Sequence, residues 1–264
     1  MSRERLDTRV AALGLCPSRE KARAEILAGN VLVDGLPAAK PGQPVSDTAE
    51  ITLRGPGLRY VGRGGLKLEK ALAAFDLSPA DLVCLDCGAS SGGFTDCLLQ
   101  NGARKVYAVD VGVGQLDPKL RADPRVVNME KTNIRSLGPG ALPEPPTLAV
   151  IDVSFISLTL VLPPVAALLA EGGTVLCLIK PQFEAGREHV GKNGVVRDPA
   201  AQQASLDRVL AAARALGFSV TGLTWSPVRG QEGNLEYLAR LDRTGADLPV
   251  DTAALVAESH KELC

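Results

Sequence analysis

Aromatic side chains make up only 3% of this 264-residue chain, and its two histidines, His189 and His260, stand far apart. Few rings are therefore available to stack on nucleic-acid bases, and the isolated histidines offer no metal-binding pair. The six cysteines fit no disulfide framework. Cys84 and Cys87 form a C-x-x-C, but on an expected strand residues three apart point to opposite faces. No second C-x-x-C follows, which argues against a zinc or redox site and favours small buried thiols in a reducing compartment. No apolar run reaches the ~18 residues a membrane span needs. The best candidate, "LTLVLPPVAALLA" at 158–170, is interrupted by Pro163 and Pro164. "MSRERLDTRV" has no apolar signal core, which makes a cytoplasmic protein the expectation.

What is present suits an ordinary globular chain, 45% hydrophobic and 22% charged. The net charge of −1 hides an asymmetry, because the first 70 residues hold 12 Lys+Arg against 8 Asp+Glu. The front end is the cationic end. That favours a polyanionic partner, although a solvated basic face explains charge alone equally well.

Leu6, Val10 and Leu13 recur at helical spacing, and Ser18 is a good N-cap for a second helix, "REKARAEILA", closed by Gly29. "VLVDG" and "AEITL" read as strands, the first running into an Asp34–Gly35 turn. The Gly- and Pro-rich "RGPG" at 54–57 reads as a linker. The expected division is a small domain at 1–57, a linker at 58–64 and a large domain at 65–264. In the large domain "LVCLD", "KVYAVD", "RVVNM", "LAVIDV" and "TVLCLIK" alternate with helical stretches. This rhythm predicts an α/β, doubly wound, mostly parallel sheet. "FSVTGLTW" and "LEYLARL" lack a helix between them and predict a terminal antiparallel hairpin.

Ligands of such sheets bind outside the carboxyl ends of the strands. The stretch "LDCGASSGGFTDC" (85–97) occupies one such end. It has no Lys after its glycines, so it is not a triphosphate loop. A dinucleotide is harder to dismiss, since Asp110 lies about where a ribose-binding acid belongs. Asp86, however, would set a carboxylate against the pyrophosphate. S-adenosylmethionine has no phosphate and carries two cationic groups, so the stretch favours it over a dinucleotide. Gly88, Ala89, Ser90, Gly92 and Gly93 would approach its amino-acid part, Asp86 its cationic groups and Asp110 its ribose. Glycines needed only for tight packing are the plainer alternative.

Polar residues also fall where a core would not demand them: Lys67 in "GRGGLKLEKAL", Asp152 in "AVIDVSFISL", Lys180 in "CLIKPQFEAG" and Glu236 in "GNLEYLARL". Each alone reads as a solvated charge or a structural ion pair, and Lys67 reads as an exposed lysine on a helix whose apolar face is Leu66, Leu68 and Leu72.

Together, "DCGASSGGFTDCLL", "AVDVGVGQL", "VIDVSFISL", "KPQFEAG" and "GNLEYL", in this order, resemble the TlyA family. Its members join a ribosomal-protein-type RNA-binding domain to a methyltransferase domain like that of the FtsJ ribose methyltransferases. "RLDTRVAALGLCPSREKARAEILAGNVLVDG" resembles the first of these, and "YVGRGGLKLEKAL" their junction. The resemblance implies a Lys67–Asp152–Lys180–Glu236 tetrad that methylates a ribose 2′-hydroxyl, most simply of cytidine, in large-subunit and in some members also small-subunit ribosomal RNA. Lys180 is the natural base, provided its pKa falls well below the usual ~10.4. Phe94, Val111 and Asn133 are expected beside the cofactor, and the basic loop 186–196 over the substrate. Arg3, Arg5, Ser18, Arg19, Lys21 and Arg23 would meet RNA phosphates, reading shape more than sequence. No metal is expected, and a monomer is the expected form. A non-catalytic ribosome-associated protein, a nicotinamide-dependent oxidoreductase and a membrane-lysing role are the competing readings. Leu58-Arg59-Tyr60-Val61 and Gly62 depart from the family's linker pattern and put the coupling between domains in doubt.

Overall fold

The computed structural model describes residues 3–16, 18–38, 40–54, 59–230 and 232–263. The chain divides into two compact units, Met1–Arg63 and Gly64–Cys264. Most of the "RGPG" stretch, and Leu58 after it, lie outside the described residues.

The first unit runs β1 (Arg3–Arg5), α1 (Leu6–Ala12), α2 (Arg19–Leu27), β2 (Val31–Val33), β3 (Leu36–Pro37), β4 (Pro44–Ser46) and β5 (Ile51–Leu53). β1 pairs with β4, and β3-β2-β5 form a small antiparallel sheet. Ser18 caps α2 by accepting from the Lys21 amide at 3.2 Å, which satisfies one of the helix's orphan donors. Leu6, Val10, Ala22, Ile26, Val31, Val45 and Ile51 form the core. Leu13 does not join it: α1 ends at Ala12 and Leu13 is its half-exposed C-cap. The β1–β4 pair has no counterpart in the sequence reading, because strands this short carry no periodicity.

A fully buried carboxylate organises this unit. Asp7 accepts from Arg5 Nε at 3.0 Å and from its terminal nitrogen at 2.8 Å, with Arg19 Nε at 3.2 Å. The Arg5 hydrogen bonds hold the Asp7 pKa well below the usual carboxylate range, overcoming the opposing effect of burial, and Arg19 adds to them.

The second unit comprises α3 (Gly64–Ala74), β6 (Val83–Cys87), α4 (Gly93–Gln100), β7 (Lys105–Val109), α5 (Pro118–Arg121), β8 (Val126–Met129), β9 (Leu148–Ile151), α6 (Leu158–Leu168), β10 (Thr174–Ile179), α7 (Pro181–Glu184), α8 (Pro199–Ala215), β11 (Ser219–Trp225), β12 (Tyr237–Asp242) and α9 (Thr252–Leu263). The sheet order is β11-β12-β10-β9-β6-β7-β8. β8, β7, β6, β9 and β10 are parallel, and β12 lies antiparallel between β10 and β11. The doubly wound sheet and its terminal antiparallel hairpin are both present. Pro163 and Pro164 do not break their segment; both lie inside α6. Among the described residues no helix is long and apolar enough to cross a membrane.

Register decides which side chains share a face. Leu85, Tyr107, Ala149, Cys177 and Ala239 belong to one core together with Leu158 and Leu162 of α6 and Leu206 and Leu210 of α8. The alternate residues, Asp86, Val150, Leu176 and Leu238, therefore face the other way. On the same alternation, Asp152 stands two residues beyond Val150, Lys180 four beyond Leu176 and Glu236 two before Leu238, all toward one rim.

Asp7 supplies the first test. A depressed native pKa gives stability that is complete above the unfolded value of about 3.9 and is lost as pH falls toward the native one. Asp7→Asn is expected to lower the thermal midpoint at pH 7, with the gap to wild type narrowing below about pH 4. Circular dichroism melts at both pH values measure this, and an equal gap at each would rule the ionised pair out as the cause.

Candidate functional site

The carboxyl edge of β6, β9 and β10 gathers the charged residues singled out above. Lys180 follows β10 and immediately precedes α7, whose Pro181 cannot continue the strand ladder. Its Nζ lies 2.6 Å from Asp152 Oδ1 in an ion pair, and it donates to Ser154 Oγ at 3.1 Å. Lys67 comes from α3 and donates to Glu236 Oε2 at 2.5 Å. Gln182 donates to the other Glu236 oxygen at 3.4 Å. Lys67 and Lys180 are 9% and 8% exposed and Glu236 3%, so the solvated-lysine reading of Lys67 is wrong. Its reason is distant in sequence: the carboxylate that draws it inward is 169 residues away. Glu236 precedes β12 rather than lying within it.

Antiparallel pairing of Ile179 with Tyr237 sets Lys180 and Glu236 next in register across adjacent strands. The parallel register likewise sets Ser154 beside Lys180. The two ion pairs therefore sit on one face of one rim, and the sheet's hydrogen bonds fix their relative positions.

Asp86 is the penultimate residue of β6 and has no exposure to solvent. Its Oδ2 accepts from Thr95 Oγ1 of α4 at 2.6 Å, whereas Oδ1 has no partner among the described residues. Burial pushes its pKa up to about 7; the Thr95 hydroxyl opposes this, and the charges of Asp152 and Asp110 add to it. A buried carboxylate oxygen without a donor suits a cationic ligand group. Beyond it, Asp110 is held by two backbone amides, Ser90 N at 2.8 Å and Gly112 N at 2.7 Å. Ala89, Gly92, Gly93 and Phe94 are buried and Ser90 is exposed.

Two glycines of this loop have reasons of their own. Gly88 (φ +85°) is so close to the Asp152 backbone that an added Cβ would lie 2.5 Å from its carbonyl oxygen. At Gly92 (φ +96°) a Cβ would meet the Leu116 and Leu120 side chains. Packing alone demands glycine at both. Val111 is 70% exposed. Asn133 is exposed and caps a short 3-10 turn by accepting from the Arg135 amide, which accounts for its carboxamide without a ligand. Loop 186–196 is tied to Asn234, which accepts from Val196 N and donates to the Gly194 carbonyl. Among the described residues no group of three or more His, Cys, Asp or Glu is arranged to hold a metal.

In the first unit, Arg5 and Arg19 share Asp7 while staying about half exposed. Lys21 Nζ donates to the Val61 carbonyl at 2.9 Å. Arg3 and Arg23 are exposed, and the Ser18 hydroxyl is engaged as a cap. The sequence reading missed Thr95, Ser154 and Gln182. Each lies inside a motif it quoted, but only the three-dimensional partner reveals its use.

The strand order, with the second-to-last strand at the sheet edge and charged residues on the carboxyl rim, defines a class I methyltransferase fold. The FtsJ-like methyltransferase model matches residues 60–243 and the S4 domain model residues 4–51. A candidate rRNA methyltransferase of Bacillus subtilis, YqxC, is 47% identical over 99% of this chain and 95% of its own. The 16S/23S rRNA (cytidine-2′-O)-methyltransferase TlyA of Mycobacterium tuberculosis is 44% identical over 99% of this chain and 97% of its own. The solved structure of a candidate hemolysin from Streptococcus thermophilus superposes with a TM-score of 0.79 at 49% identity, covering 99% of this chain and 97% of that one. The chain belongs to the FtsJ-like methyltransferase family and, with its S4 domain, to the TlyA group.

The raised pKa of Asp86 has a definite sign. The native state holds this proton more tightly than the unfolded chain, so stability falls as pH rises from about 4 to about 7. Asp86→Asn is expected to stabilise the ligand-free protein at pH 8 by on the order of 2 kcal/mol, with no gain near pH 4. Melts at both pH values check it; a variant less stable than wild type at pH 8 would refute the assignment.

Proposed function

We propose that this protein methylates the 2′-hydroxyl of a ribose in ribosomal RNA, most simply of a cytidine, with S-adenosylmethionine as donor. The observation that carries the reading is the pair of buried lysine–carboxylate contacts, Lys180–Asp152 and Lys67–Glu236, on the same face and rim as Asp86, whose Oδ1 has no partner among the described residues. When bound, S-adenosylmethionine supplies an activated methyl group, which leaves the protein to orient the acceptor and take its proton. Asp86 would hold the cofactor's cationic end and Asp110 its ribose, with Gly88, Ala89, Ser90, Gly92, Gly93 and Phe94 around them and Val111 and Asn133 toward the base.

A ribose hydroxyl is a weak nucleophile at neutral pH, so its proton has to leave as the oxygen forms its new bond to carbon. Lys180, in its neutral amine form, takes that proton at Nζ. Asp152 and Ser154 aim the amine, and Asp152 stabilises the ammonium that results. Glu236, itself held by Gln182, fixes the Lys67 ammonium beside the reacting oxygen. In the S4 domain, Arg3, Arg5, Ser18, Arg19, Lys21 and Arg23 would position RNA through its phosphates. The pairing of the Arg5 and Arg19 guanidinia with buried Asp7 supports this, since it holds two cations at fixed spacing while leaving them half exposed to solvent.

The test is methyl transfer from labelled S-adenosylmethionine to unmodified ribosomal subunits, followed by digestion and identification of the labelled nucleoside. Wild type is expected to yield 2′-O-methylcytidine. Lys180→Ala is expected to lower turnover about 10²–10⁴-fold while binding S-adenosylmethionine with unchanged affinity. Label on a base, or normal turnover by the variant, would overturn the mechanism.

A further inference from the structure

Glu184 lies in none of the roles above, yet it is among the most buried charged residues of the second unit, 3% exposed. It ends α7, four residues after Lys180. Its Oε2 accepts from Ser157 Oγ at 2.6 Å and its Oε1 from the Leu158 amide at 2.7 Å. Ser157 is the N-cap of α6 and accepts in turn from the Thr159 amide. The Glu184 main-chain carbonyl is itself held by the Arg208 guanidinium. One carboxylate thus clips two segments together: 180–184, which begins with Lys180, and 152–158, which begins with Asp152 and contains Ser154.

The clipped segment is under backbone strain. Phe155, between Ser154 and Ser157, has φ +65°, in a region that non-glycine residues occupy at a cost of roughly 1–3 kcal/mol. It is 92% exposed, its ring centroid 5.2 Å from that of Phe183. Burial of Phe155 therefore does not hold this backbone in place. Anchors on either side do: Ser154 Oγ to Lys180 before it, Ser157 Oγ and Leu158 N to Glu184 after it. Released at the Glu184 end, the segment could relax at Phe155 and carry Ser154 and Asp152 away from Lys180.

We infer that Glu184 is a positioning residue for methyl transfer, holding the 152–158 segment so that Asp152 and Ser154 stay in register with the Lys180 amine. The inference rests on the function proposed above. Glu184 touches neither substrate nor the reacting atoms and acts through Asp152, Ser154 and Lys180. Displacing a reacting group by about 1 Å can cost on the order of 10²-fold in rate, so loosening this clip is expected to reach the chemistry even where the fold survives.

The decisive variants are Glu184→Asp, which keeps the charge but is one methylene too short to reach both partners, and Glu184→Gln, which keeps the length. Single-turnover methyl transfer to ribosomal subunits is normalised to the number of S-adenosylmethionine-binding sites, so partial unfolding does not enter the rate. Glu184→Asp is expected to lower the rate per site about ten- to hundredfold with KM for RNA unchanged. Glu184→Gln is expected to stay within about threefold, since its carbonyl can accept from Leu158 N while the Ser157 hydroxyl turns to accept from the amide. A residue that merely stabilises α6 would lower the melting temperature and the number of competent sites but leave the rate per site at the wild-type value, and that result would overturn the inference. Wild type that transfers no label, in the same assay, would sink the proposed function. Active wild type, inactive Lys180→Ala and fully active Glu184→Asp would sink only the role of Glu184.

Discussion

Register in the parallel sheet is the constraint on which the candidate site depends. Asp86, Asp152 and Lys180 each stand at or just past the carboxyl end of a strand, and period-2 alternation turns all three to the face opposite the α6–α8 core. Glu236 joins them only because β12 runs antiparallel to β10, which brings the beginning of β12 to the same rim. A parallel last strand would have carried it to the far edge. The terminal hairpin is thus the device that closes the cluster with its second carboxylate.

Bringing two ammonium groups and two carboxylates into so dry a place is tolerable because each has a partner within 2.6 Å. Breaking such a pair from one side leaves a bare charge at a cost of about 3–5 kcal/mol. The same low exposure fixes the direction of both amines. Buried pairs are poor evidence for stability but good evidence for orientation, and here the orientation is repeated by second contacts: Ser154 to Lys180 and Gln182 to Glu236. The strained turn at Phe155 fits this pattern, since its backbone is kept where the anchors put it and not where the torsions prefer.

The fold was legible because its signals are local. Short apolar runs separated by helical stretches predict a doubly wound sheet, and the missing helix before "LEYLARL" predicts the hairpin. Ser18 announces its helix by chemistry that needs no partner beyond Lys21. The tetrad was legible only as a pattern of motifs; nothing near Lys67 distinguishes it from a surface lysine, because what buries it is Glu236. Thr95 and Glu184 went unread for the same reason. Their importance consists of contacts made across the fold, with Asp86 and with Ser157. Glycine carries two explanations at once. The bareness of 88–93 points to a ligand, yet the neighbours of Gly88 and Gly92 are Asp152, Leu116 and Leu120.

Two aspartates show why the unpartnered atom is the more informative one. Asp7 and Asp86 are both wholly buried. Two guanidinia hold Asp7 ionised, and its pKa is pushed down; Asp86 has one hydroxyl, and its pKa is pushed up to about 7. The first is a finished interaction whose stabilisation is present in the protein as it stands. The second is unfinished: a carboxylate that costs stability when it ionises near neutral pH, with one oxygen lacking a donor among the described residues. Hydrophobic packing would have served a purely structural site better. The proposed function supplies the missing partner in the cationic end of the cofactor, whose binding would then draw on a cost the ligand-free fold already carries.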